Sequence, residues 1–443
     1  MSLKEFNIIR SLKKWIRTIK PKKASRQSSL IPTIIPRAEH TISRRDIDPH
    51  ALKVLYRLHE AGFHAYLVGG CVRDLLLGQH PKDFDIATNA HPEEVRRLFR
   101  NCRLIGKRFR LAHILFGNHI IEVATFRTHH QNALEQHAKT HNGMIVRDNV
   151  YGSIEDDVLR RDYGINALYY NIADFSIVDF VGGMKDIKQK VLRMIGNPTE
   201  RFSEDPVRLI RAIRFLAKLD ITIDPDTEKH LIASGHLLGH VSNARLFQEV
   251  LKMLESGKLL PTIKLLEQYD LLRHLLLCSS PHLTLLEIAA KNTDERIRSG
   301  KTVSPAFFLA ASLWPQFAAK TAELEKNLPR SLAFDAAANE LLKAQTQKIA
   351  ISRLIQTAIR DIASLQFRFH LRRGSTPQKL LDHPRFRAAF DLLLLRNDAG
   401  EPVAELVLWW KAFYNATPEE RLQLLKDVKP SGHSKRRRKF RKR

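Results

Sequence analysis

Two glycines and two aspartates give the first chemical hint in this chain. Gly69 and Gly70 end an apolar run in "HAYLVGGCVRDLLLG", and "DFDIAT" then brings Asp83 and Asp85, with twelve residues between Gly70 and Asp83. In a strand, residues two positions apart share a face, so both carboxylates point one way while Phe84 and Ile86 point to the core. Two carboxylates held so close repel each other. A divalent cation relieves that repulsion, and magnesium is the hard, oxygen-seeking choice. Glycine lets the backbone approach a ligand closely, and a helix start offers free N–H groups to an anion. Phosphate beside carboxylate-bound metal is what phosphoryl or nucleotidyl transfer requires. Either motif alone reads equally as an ordinary turn or a solvated acidic pair. Strand–Gly-Gly–helix followed by strand–Asp-x-Asp is the informative combination.

The elements that must hold these residues are legible in the periodicity. "DPHALKVLYRLHEAG" has the spacing of an amphipathic helix ending at Gly62, "HAYLV" that of a strand, and "GCVRDLLLG" that of a short helix closed by Gly78. "HPEEVRRLFR" opens with acids that suit a helix dipole. "HILFG", "HIIEVATF" and "INALYYN" read as further strands, so residues 46 to about 175 form a mixed α/β unit with few strands. Beyond about 200 the strand pattern stops, and helical patterns run from "DPVRLIRAIRFLAKL" to "ELVLWWKAFYN". On a helix, Asp205 and Arg208 of "EDPVR" would share a face; that spacing fits an i,i+3 ion pair or an acceptor and donor that read a base edge.

Charge points to a polyanion. The 443 residues carry a net charge of +26, and the excess is concentrated at the ends. Residues 1–45 hold twelve Lys or Arg against two Glu, and "SKRRRKFRKR" closes the chain. Basic arms of this kind bind phosphates through counterion release. Within the first arm Ile8, Leu12, Trp15 and Ile19 recur at helical spacing, which suits an anionic membrane surface or a partner as well as an arm lying on RNA. No apolar run approaches a membrane span, the basic amino terminus lacks an apolar signal core, and three scattered cysteines form neither a disulfide framework nor a zinc pattern. A soluble cytoplasmic monomer is the expectation.

At these motifs the chain resembles the nucleotidyltransferase superfamily with a DNA polymerase β-like head. It is most similar to the class II group that holds bacterial poly(A) polymerases and CCA-adding tRNA nucleotidyltransferases. The similarity runs on through "RLIGKRFRLAHILFG", "IIEVATFR", "DDVLRRDYGINALYY" and "RFSEDPVRLIRAIRFLAKL" and spans about residues 50–255. The implied fold is α+β: a head with a small mixed sheet over 46–190, a helical neck with the base-selection motif over 191–265, an all-α RNA-binding body over 266–425, a partly disordered basic arm at 1–45 and a disordered basic tail at 426–443. The resemblance implies that Gly69, Gly70 and Arg73 contact a triphosphate and that Asp83 and Asp85 bind magnesium. It also places Asp162 as a third catalytic acid, Arg161 and Asn166 near the nucleotide, and Asp205 and Arg208 on the incoming base. Glu122 is the rival third acid, because such heads often carry it on the next strand. Arg211 and Arg214 continue the basic run, toward phosphate or primer. The group usually has Phe-Thr after "RRD"; Tyr163-Gly164 stands here, so a looser strand or ribose contact is expected.

Within the group, three features favour poly(A) synthesis from ATP on RNA 3′ ends over CCA addition to tRNA. The wording of "PKDFDIATNAHPEEVRRLFRNCRLIGKRFRLAHI" and of "LLDHPRFRAAFDLLLLR…VLWWKAFY" is closer to the bacterial poly(A) polymerases, and paired basic tails suit varied RNA ends.

Overall fold

The computed structural model describes residues 30–106, 110–128, 139–141, 144–147, 150–278 and 283–428. The segment around Trp15 and nearly all of the carboxy-terminal tail lie outside the described residues. In the first half, β1 (Thr33–Ile35), α1 (Pro49–Glu60), β2 (Ala65–Val68), α2 (Gly70–Leu76), β3 (Asp85–Thr88), α3 (Pro92–Leu98), β4 (Cys102–Ile105), β5 (Leu111–Phe116) and β6 (His119–Thr125) follow one another. A hairpin of β7 (Lys139–His141) and β8 (Met144–Arg147), then α4 (Ile154–Leu159), β9 (Leu168–Asn171), β10 (Ile177–Asp179) and α5 (Gly183–Gln189) complete the head.

Apart from the hairpin, these strands form one sheet in the order β1-β10-β9-β2-β3-β6-β5-β4. β3 and β6 run parallel, while the other neighbours are antiparallel. The sheet is larger than the sequence suggested. Residues 33–35, expected in a disordered arm, add an edge strand against β10, and Ile42 behind them is buried. "TII" is β-branched and apolar enough to pair, which the surrounding basic residues obscure. Local chemistry sets the element ends. Asp48 caps α1 by accepting from the backbone N–H of His50 and Ala51, with Pro49 in the first turn. Gly69 has φ +81°, a conformation that glycine adopts without steric cost, and it turns β2 directly into α2.

The second half is helical. After β11 (Val191–Leu192) come α6 (Pro198–Glu204), α7 (Val207–Leu219), β12 (Thr222–Ile223), α8 (Pro225–Ser234), α9 (Asn243–Leu254) and α10 (Leu259–Gln268). The two short strands pair in parallel and return the chain to the head. The body holds α11 (Leu283–Arg298), α12 (Pro305–Leu324), α13 (Arg330–Lys348), α14 (Arg353–Arg368), α15 (Thr376–Leu381), α16 (Phe386–Asp398), α17 (Ala404–Asn415) and α18 (Pro418–Asp427). Among the described residues no helix is long and apolar enough to cross a membrane.

One apolar core runs from Tyr163 and Ile165 of the head through α7 to Trp410 and Phe413 of the body. α7 is its hub: Leu209, Ile210, Ala212 and Ile213 are fully buried. Each large aliphatic side chain so buried stabilises the fold by about 1.5–3 kcal/mol. The sheet's two faces carry separate cores, one around Leu55, Leu67 and Ile86, the other around Val68, Phe126 and Tyr169.

Head packing leaves no room at Gly183, where an added Cβ would lie 2.3 Å from the Gly164 carbonyl oxygen. Gly183→Ala is therefore expected to destabilise by roughly 1–3 kcal/mol, as overpacking against backbone does. A thermal melt checks this; an unchanged midpoint would mean that the α5 start can move freely.

Candidate active site

The ten residues singled out by motif converge. Gly69, Gly70, Arg73, Asp83, Asp85, Arg161, Asp162, Asn166, Asp205 and Arg208 all line one cleft of about 810 Å³ between the head sheet, α7 and α9. The same wall carries eleven Lys or Arg against six Asp or Glu. A cleft with that excess attracts an anion.

The acidic floor comes from β3. The strand begins at Asp85, so Asp83 precedes it rather than lying within it. The alternation still holds: Phe84 and Ile86 are buried in the core, while Asp83 and Asp85 open on the cleft, where the surrounding walls still desolvate Asp85. β6 lies beside β3 with Glu122 in register with Asp85. Burial and the Glu122 charge push the Asp85 carboxyl up to about 6; Arg161 partly opposes this and Asp83 adds to it. Glu122 is not part of the cleft lining, but it is the carboxylate that Asp85 feels most.

Asp162 has different company. Its Oδ2 accepts from Arg211 of α7 at 2.6–2.7 Å, and its Oδ1 accepts from the Tyr163 N–H at 2.9 Å and the Asn166 amide at 3.3 Å. Burial opposes ionisation, yet Arg211 and these donors hold the carboxyl down at about 2. The cationic partner of Asp162 is thus Arg211, whereas its sequence neighbour Arg161 belongs to Asp157.

Asp157 is outside the cleft lining but anchors two arginines that belong to it. It is 1% exposed and accepts from Arg160, Arg161 and the Tyr169 hydroxyl, with Arg160 Nη2 at 2.5 Å and Arg161 Nη2 at 2.9 Å. Burial works against its charge, but the two guanidiniums and the phenol keep its carboxyl well below the usual range. Arg161 so placed lies 3.5 Å from where a Gly69 Cβ would stand, and Arg73 lies 3.6 Å from the corresponding point at Gly70. Arg73 is held by Asp74 and donates to Asn166 Oδ1 at 2.6 Å; Asp74 also takes Lys218 of α7 at 3.2 Å. The Gly-Gly turn is thus bracketed by two anchored guanidiniums, an arrangement suited to a polyphosphate.

At "EDPVR" the sequence expectation needs correction. Asp205 is not on a helix with Arg208. Pro206 forces the preceding residue into extended backbone (φ −145°), so Asp205 ends α6 and α7 starts at Val207. The two side chains have separate partners. Asp205 accepts from Arg245 of α9 at 2.9 Å, whereas Arg208 reaches Glu204, the Arg201 carbonyl and, at 3.4 Å, the Arg160 carbonyl. Arg211 and Arg214 are engaged as well, with Asp162 and Glu249.

The Tyr163-Gly164 departure also reads differently in place. Gly164 does not line the cleft; a Cβ there would stand 2.8 Å from Asp186 Oδ2, a buried oxygen with no hydrogen-bond partner in the structure. Fully buried Tyr163 donates its hydroxyl to the Arg208 carbonyl at 2.7 Å, a head-to-neck link that phenylalanine lacks.

With this geometry the comparisons are decisive. The Poly A polymerase head domain model matches residues 65–193, the probable RNA and SrmB-binding site of polymerase A 220–285, and the polymerase A arginine-rich C-terminus 326–443. Poly(A) polymerase I of Escherichia coli O157:H7 is 48% identical over 413 residues, 89% of each chain. The chain belongs to the poly(A) polymerase I family. The CCA-adding enzyme of Bacillus subtilis (strain 168) is 40% identical but over 205 residues, 46% of this chain and 50% of its own. The crystal structure of the Bacillus stearothermophilus CCA-adding enzyme in complex with CTP shares the fold at 23% identity, with TM-score 0.57, covering 87% of this chain and 90% of that one.

Sequence reasoning missed Asp157, Asp74, Glu204 and Arg245. Asp157 was recoverable: in "DDVLRRD" it precedes Arg160 and Arg161 by three and four, which is helical pairing distance. The Arg245 contact spans forty residues and left no local signal.

Two outcomes follow from these buried pairs. Asp157→Asn should raise the KM for ATP about tenfold or more, since charge-assisted hydrogen bonds are worth about 1.5–3 kcal/mol; steady-state kinetics would show it, and an unchanged KM would detach Arg161 from the nucleotide. Because the folded carboxyls of Asp157 and Asp162 are depressed, their stabilisation is complete above the unfolded pKa of about 4 and fades as pH falls toward 2. Urea melts across that window should lose stability in the parent and lose less in Asp162→Asn.

Proposed function

We propose that the protein extends RNA 3′ ends without a template, adding AMP units from ATP and releasing pyrophosphate. The observation that carries this reading is the Gly69-Gly70 turn, bracketed by Arg73 and Arg161, opening on the same cleft as Asp83 and Asp85. The attacking RNA 3′-oxygen forms a bond to the α-phosphorus as the bond to the pyrophosphate oxygen breaks, and the hydroxyl proton passes to solvent.

A divalent cation fits the acidic floor. Burial first, then the Glu122 and Asp83 charges, raise Asp85 toward protonation, and Arg161 offsets this only in part, so a cation placed there would be stabilised. Magnesium commonly takes one or two carboxylates and completes its shell with water and substrate phosphate, which suits this pair. Asp83 and Asp85 would hold it, and Glu122, in register with Asp85, is the better third acid than Asp162, whose charge is already met by Arg211. Bound there, magnesium supplies charge neutralisation and an activated 3′-hydroxyl.

The protein's own groups do the rest. Arg73 and Arg161 orient the triphosphate, and their pre-set geometry lowers the reorganisation needed in the transition state. Asp205 and Arg208 border the place left for the base, and Arg214 and Lys218 extend the cationic wall toward the primer. The basic tails hold RNA of varied sequence through its phosphates. In this reading the protein works as a monomer, and the amphipathic arm provides any weak contact with an anionic membrane.

Primer extension on an unstructured RNA tests the reading. ATP alone should give long tails; a requirement for CTP with a stop after three additions to tRNA would support CCA synthesis instead. Asp83→Ala should reduce incorporation to background while RNA retention on a filter stays close to that of the parent. Glu122→Gln should lose most activity, and activity surviving it intact would return the third-acid role to Asp162.

A further inference from the structure

The head sheet carries one cross-strand line of charge. Arg103 on β4 is the register partner of His113 on β5, His113 that of Glu122 on β6, and Glu122 that of Asp85 on β3. Cross-strand partners stand on the same face, so these four side chains form a single row across the sheet. The row ends at the acidic floor of the cleft.

Glu122 needs orienting. Its side chain is 48% exposed, it has several rotatable bonds, and Asp85 repels it. Left alone, it would swing into solvent. His113 Nε2 lies 3.4 Å from Glu122 Oε1, and the His113 side chain is only 16% exposed, so the ring is a comparatively fixed neighbour within reach of the carboxylate. The contact comes from the β5 side. It engages one carboxylate oxygen from the side of β6 opposite β3 and Asp85. A carboxylate ligand gripped through one oxygen presents the other in a defined direction, which is how an outer partner tunes a metal ligand.

We propose that His113 is a positioning residue that aims the Glu122 carboxylate at the cation shared with Asp85. The proposal rests on the reading of Glu122 as a metal ligand. It does not require His113 to be charged: the neutral tautomer protonated on Nε2 supplies the donor as the imidazolium does.

The test measures Mn2+ binding to the full-length protein by electron paramagnetic resonance, without nucleotide or RNA. Parent, His113→Ala, His113→Leu, His113→Gln and Glu122→Gln are compared, with thermal melts alongside. His113→Leu retains bulk without a donor, so it serves if the alanine variant unfolds. His113→Gln restores a donor of similar reach. Loss of the donor should weaken Mn2+ binding about tenfold or more, the usual effect of removing an outer partner. His113→Gln should recover much of it, and kcat should fall in the donor-less variants with KM for ATP unchanged. If Glu122→Gln weakens Mn2+ binding while folded His113→Leu binds as the parent does, His113 has no positioning role. If Glu122→Gln itself binds Mn2+ normally, the Glu122 reading fails and the His113 proposal falls with it.

Discussion

A carboxylate closed off from water stays ionised only when cations and N–H donors surround it, and Asp162 is where that rule joins the two halves of this molecule. It belongs to the head, but the guanidinium that neutralises it comes from α7 of the neck. Removing one partner of a buried pair typically costs about 3–5 kcal/mol, because the other charge is left stranded. The pair also sets a direction. Next to it, the Tyr163 hydroxyl reaches the Arg208 carbonyl, Arg201 reaches the Arg161 carbonyl, and Lys218 reaches Asp74. The seam between head and neck is thus polar at the cleft and apolar behind it, where Tyr163 and Ile165 join the neck core. Polar links with defined geometry fix the rotation of α7, and the apolar core supplies adhesion without direction.

That fixed rotation gives the cleft its electrostatic form. Arginines on the head side are anchored by Asp157 and Asp74, and those on the neck side by Asp162, Glu204 and Glu249. Each anchoring acid lowers the entropy of a long side chain and sets the angle of its fork. Enough cationic charge remains for a triphosphate to be attracted. Asp83 and Asp85 are the exception: among the described residues neither is held in an ion pair, and Glu122 adds to the negative charge around Asp85, which is the opening for a divalent ion.

Much of this was legible in the sequence because it is local. The Gly-Gly turn, the Asp-x-Asp alternation and the capped helices depend on residues a few positions apart, and each appears where the pattern placed it. What the sequence did not show shares a cause: it depends on partners far along the chain. Asp162 is separated from Arg211 by 49 residues, and Asp205 from Arg245 by 40. Residues 33–35 count as a strand only once β10 lies beside them. Pro206 is the local exception. It signalled in the sequence that Asp205 and Arg208 could not share one regular helix, and the i,i+3 spacing concealed it.

The dependence of the whole on the head–neck ion pair is open to one direct measurement. A double-mutant cycle of Asp162→Asn and Arg211→Met, read by denaturant unfolding, isolates the coupling between the two side chains. The expected coupling is about 2–3 kcal/mol, toward the upper end for residues in one buried network. Additive effects, with no coupling beyond about 0.5 kcal/mol, would contradict it and leave α7 held by apolar packing alone.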